Sequence, residues 1–76
     1  MSTATLAARA RQVHATTPRG SLQRRAAGCA AVVLTDARTP AGARKMLRAA
    51  DHLADDVRDA ALDLIDALTK ETPTDG

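Results

Sequence analysis

Cys29, His14 and His52 are the side chains whose chemistry at neutral pH could go beyond charge, hydrogen bonding and packing. A thiolate nucleophile needs a base and an orienting group beside it. Gly28-Cys29-Ala30 lies in an apolar stretch that supplies neither, so Cys29 is expected to be a small core residue, reactive only if a dimer seam brought two copies together. One cysteine excludes an intrachain disulfide, and with two histidines at no ligand spacing it excludes a Cys/His zinc cluster. The histidines are expected on different helices, at a boundary or the surface, rather than as a pH switch. No Gly-rich phosphate loop, nucleophile elbow or HExxH pattern is present. The expectation is a non-enzymatic protein with no cofactor, no metal and no small-molecule substrate.

Asp55-Asp56-Val57-Arg58-Asp59 has the D-D-x-x-D spacing with which prenyl-transferring and terpene-forming enzymes hold magnesium and a diphosphate. Helical spacing puts Asp55 and Asp59 on adjacent turns. Such chemistry needs a deep apolar cavity walled by many helices, which 76 residues cannot enclose. The run is expected to be a solvated acidic face.

The basic side chains offer more. Arg19, Arg24 and Arg25 cluster around one expected helix start, and Arg44, Lys45 and Arg48 around another, so all six are candidate phosphate contacts. Residues 1–48 carry nine basic side chains against Asp36 alone, a balance of +8, and residues 49–76 carry two against eight acids, a balance of −6. The net +2 hides two opposed halves, which points to nucleic-acid contact by one half or to pairing between the two. Without a single aromatic there is no platform for stacking single-stranded bases. Helix-turn-helix binding to DNA stays open, although no helix rich in polar base-reading residues stands out.

The elements that would position these groups are helices. Alanine, the best helix former, fills 18 of the 34 apolar positions, and Leu, Ile and Val together fill 13. Thr3 or Thr5 can cap a first helix over about 4–15, with Leu6, Ala10 and Val13 on one face. Pro18 and Gly20 end it, and Ser21 caps a second helix over 22–34 with a stripe of Leu22, Ala26, Cys29, Ala30 and Val33. Val32-Val33-Leu34-Thr35 could form a short strand, but no second strand is available to pair with it. Thr39-Pro40 starts a third helix, since Thr caps well and Pro suits the first helical position.

From Leu47 the apolar positions 50, 54, 57, 61, 64 and 68 recur three and four apart, with Asp51, Asp55, Asp59, Asp63 and Asp66 opposite them. The register predicts one helix over 40–71, with 72–76 frayed. One conflict stands against it: Arg44, Lys45 and Arg48 would lie near the N-terminus of that helix and acids towards its C-terminus, against the macrodipole. A break near Ala50 with Asp51 capping a new segment would relieve the conflict. At about 0.3–1 kcal/mol each, the dipole terms are too small to decide alone, and the expectation is a continuous helix with a kink at 50–52.

The sequence thus reads as one all-α domain of three helices over 1–76, its long C-terminal amphipathic helix self-associating. Cores this small seldom supply more than about 3–5 kcal/mol, and alanine makes each buried position worth less. Stability is therefore expected to come from a homodimer or a protein partner, as for a regulator, adaptor or assembly subunit. The expected contact is Met46, Leu47, Leu53, Val57, Leu64, Ile65 and Leu68. A nucleic-acid-binding regulator is the alternative.

The longest apolar run, Cys29 to Leu34, has six residues against the roughly 20 of a membrane span, so no membrane helix is expected. The acid-free first 35 residues imitate an organellar transit peptide, and Arg24-Arg25 ahead of Ala27-Gly28-Cys29 imitates a twin-arginine or lipoprotein signal, but a single cysteine suits a reducing, cytoplasmic setting. Leu47-Arg48-Ala49-Ala50 and Val57-Arg58-Asp59-Ala60-Ala61 resemble the last two helices of ANTAR domains, three-helix RNA-hairpin binders of bacterial antitermination. The resemblance spans residues 39–67 and implies RNA binding. It departs from the family pattern at Arg44, where an aromatic is usual, and the upstream glycine segment aligns only with a gap.

Overall fold

A computed structural model describes residues 3–71, and these form four helices with no strand among them: α1 (Thr3–Thr16), α2 (Leu22–Asp36), α3 (Pro40–Ala49) and α4 (Asp55–Glu71). The boundaries written into local sequence are where expected. Ser21 Oγ accepts the Arg24 N–H at 3.2 Å and opens α2. Thr39 Oγ1 accepts the Gly42 N–H at 3.0 Å with Pro40 in the first turn of α3, a cap that contributes about 1 kcal/mol. Gly20, at φ +81°, takes the left-handed turn that separates α1 from α2.

Thr3 and Thr5 are not caps, because both lie within α1. The Thr3 hydroxyl instead donates to the carbonyl of Ala37, just past the end of α2, at 3.0 Å. Arg11 donates to Thr35 Oγ1 at 2.9 Å, so α1 and α2 run antiparallel and are tied across their surface.

The continuous helix over 40–71 is corrected by the structure. α3 stops at Ala49, residues 50–54 turn the chain, and α4 restarts at Asp55. Ala50 donates to Leu47 O at 3.2 Å and Leu53 to Ala50 O at 3.3 Å, the tight bonds of a closing turn. Asp51 lies within this turn and does not cap α4. Reach explains the break. An unbroken helix over 40–71 would run about 48 Å, whereas the 14 and 15 residues of α1 and α2 offer only about 22 Å of packing surface. Folding back lets both halves of the apolar seam reach the same core. It also places Arg48 in the last turn of α3 and Asp55 and Asp56 in the first turn of α4, which removes the conflict with the dipole.

One cluster gathers all four helices: Leu6 and Ala10 from α1, Ala30 and Leu34 from α2, Ala43 and Leu47 from α3, and Ala61, Ile65 and Leu68 from α4. The buried faces are turned slightly from the expected stripes. Leu34, Ala27 and Ala31 are inside on α2, while Leu22, Cys29 and Val33 are only half-buried. Alanines at the contacts let the backbones come close. Residues 72–76, expected to fray, lie outside the described residues. Among those described, no helix is long and apolar enough to cross a membrane.

Candidate functional site

Four of the seven residues expected at a partner seam are enclosed within the chain itself. Leu47, Val57, Ile65 and Leu68 are buried in the intrachain core, and Leu53 and Leu64 are half-buried against it. Met46 alone of the seven is exposed. The apolar seam of the C-terminal region therefore faces α1 and α2, and its outward side is the aspartate row.

The acidic D-D-x-x-D run is satisfied locally. Arg58 Nη2 donates to Asp55 at 2.9 Å, with Asp59 at 3.9 Å from Arg58 Nε, and Asp56 accepts the Val57 N–H at 2.8 Å. No grouping of His, Cys, Asp and Glu able to hold a metal occurs among the described residues. At these exposed positions the ion pairs are each worth about 0–1 kcal/mol.

Of the six candidate phosphate contacts, one is engaged within the chain and two line a common groove. Arg44 donates to Asp66 at 2.8 Å, a bond from α3 to α4 that joins the basic and acidic halves. Lys45 and Arg48 are exposed on α3, and Arg19 is exposed in the turn before α2. Arg24 and Arg25 alone share one lining.

That lining belongs to an open groove of about 1010 Å³ between α2 and the α3–α4 connection, at the upper end of ligand-pocket sizes. α2 supplies Arg24, Arg25, Gly28, Cys29, Val32 and Val33; the opposite wall is Met46 and Leu47 of α3, then Ala50, His52, Leu53 and Ala54, with Val57 from α4. His14 of α1 and Gly20 complete it. Val32, 62% exposed, and Met46, 39% exposed, are the exposed large hydrophobic side chains of the described residues, and both are here. The charged and titratable members of the lining are Arg24, Arg25, His14, His52 and the Cys29 thiol, with no carboxylate among them.

Local sequence explains much of this wall. Residues 26–34 are apolar apart from Gly28, so α2 is apolar nearly all round, and a core on one side leaves Val32 uncovered on the other. Gly28 sits mid-helix, where glycine costs about 0.5–1 kcal/mol relative to alanine. A Cβ added there would make ordinary contact with the imidazole of His14, 3.4 Å from its Cδ2. Arg24 is held by a 3.1 Å bond to the Thr17 carbonyl. His52, expected on a helix, lies in the 50–54 turn, and Cys29, expected in the core, is half-buried on the groove wall. Val32 is not among the contact residues expected from the sequence. The signal for it was the all-round apolarity of α2, which one core face cannot use up.

No family model, curated protein or solved structure matches the chain. The two segments that resemble ANTAR helices fall on α3 and α4, with Ala50 just past α3, but no family model supports the likeness.

Proposed function

We propose that this protein is a non-enzymatic interaction module that receives part of a protein partner in the groove between α2 and the α3–α4 connection. The observation that carries it is that Val32 and Met46, from separate helices, are left exposed and both line one groove. Apolar side chains scattered singly over a surface need no explanation, whereas these two line the same groove, which favours a contact there. The contact expected through the C-terminal helix shifts accordingly, since Leu47, Val57, Ile65 and Leu68 already serve the chain's own core. Phosphate contact by the basic half has less behind it, because Arg44 is paired with Asp66 and, of the other five candidates, Arg24 and Arg25 alone line the groove.

The test uses an amphipathic helical peptide with leucines at helical spacing. Added to isotope-labelled protein, it is expected to shift the amide signals of Cys29, Val32, Met46 and Leu53 and to leave those of Ala8 and Asp63 in place. Val32→Asp, at an exposed helical position, should abolish those shifts while helicity is retained. Shifts confined to the outer side of α4, or none, would count against the groove.

A further inference from the structure

We infer that the occupant of this groove is a helix of a second protein, apolar along one stripe and acidic on the flanks of that stripe, and not a second copy of this chain. Resting on the groove reading above, this adds the chemistry of the partner.

Charge is the first ground. Every ionic side chain on the lining is an arginine, and the two histidines add ring N–H donors, with no acid to neutralise them from within. Arg25 is exposed on α2 and forms no ion pair among the described residues. A partner carboxylate beside it would gain a charge-assisted and even bidentate contact, which a lysine or glutamine there could not make. Between the charged positions, Val32, Val33, Met46 and Leu53 present the apolar surface that a helix reads with side chains three and four apart. From Arg24 to Val33 the α2 wall runs about 14 Å, so about three turns of a partner helix cover it.

Among the described residues the chain does not carry the complement of its own groove. The acidic helix α4 has Val57, Ala61, Ile65 and Leu68 buried, and what it offers a second copy is aspartate without a large apolar stripe. Among the described residues the exposed large hydrophobics are in the groove itself, so a symmetric dimer built on them would have to join groove to groove. That arrangement brings two sets of Arg24 and Arg25 into one interface with no carboxylate from either lining, and like charges suppress such a pairing.

Three designed peptides of about 14 residues test this, sharing one stripe of leucines with a single tryptophan and differing only in polar residues: glutamate, glutamine or lysine. The chain has no aromatic residue, so the peptide tryptophan is the sole emitter and its blue shift reports burial. The glutamate peptide is expected to bind about tenfold more tightly than the glutamine one and to weaken as salt is raised, with the lysine peptide weakest. Arg25→Glu should remove the preference for glutamate; Arg24→Ala is the less clean variant because Arg24 also bonds Thr17. Equal binding of all three peptides would overturn the acidic partner and leave the groove standing. If none bound and the protein sedimented as a dimer that Val32→Asp splits, the occupant would be a second copy, which overturns this inference alone. No binding by a monomer indifferent to Val32→Asp would overturn both.

Discussion

Replacing Ile65 with alanine is expected to remove most of the protein's stability, so that a substantial fraction is unfolded at room temperature. Ile65 is fully enclosed, and deleting such a side chain costs about 2–5 kcal/mol through lost transfer energy and the cavity left behind. A core of this size supplies only about 3–5 kcal/mol in all, so one truncation removes most of it. Far-UV circular dichroism with urea titration reads the loss. The same change at half-buried Leu64 should cost clearly less. Retained helicity and an unchanged urea midpoint in the Ile65 variant would mean that this side chain serves an outward contact, as the sequence first suggests, and not the core.

Enlarging a buried alanine should be nearly as damaging. Ala61 is fully buried on α4, which packs against α2, and a leucine there adds three carbons where there is no space. Overpacking costs about 1–3 kcal/mol, which for a domain of this size lowers the melting temperature by about 5–20 °C. Ala67→Leu, on the exposed side of the same helix, is the control and should be close to neutral, because leucine is nearly as good a helix former as alanine. If both variants melted alike, close helix approach through alanine would not be what holds α4 in place.

The two substitutions bracket what could be read from the residues. Ser21 and Thr39-Pro40 were legible because a cap is a matter of three or four neighbouring residues. The break at 50–54 was signalled only by the reversed charges along the expected helix, since the apolar repeat runs through Ala50 and Ala54 without a glycine or proline to stop it. What ends α3 is the distance over which α1 and α2 can cover it, and no local window contains that. The inward face of α2 was ambiguous for a related reason. When Ala26 to Leu34 are nearly all apolar, periodicity cannot say whether Val32 or Leu34 is inside, and the partner helices decide. The basic character of Arg24 and Arg25 was plain in the sequence, but their convergence with Val32, Met46 and His52 depends on how α2 meets the α3–α4 turn.

Leu6 near the start of the described chain and Leu68 near its end belong to one cluster, and α1 packs directly on α4. Removing any one helix therefore uncovers side chains of the cluster that all four share. Local opening, which in many proteins lets a terminal element come and go cheaply, here approaches the free energy of losing the whole fold. Urea unfolding is therefore expected to be one cooperative transition, in which the groove is lost together with the core.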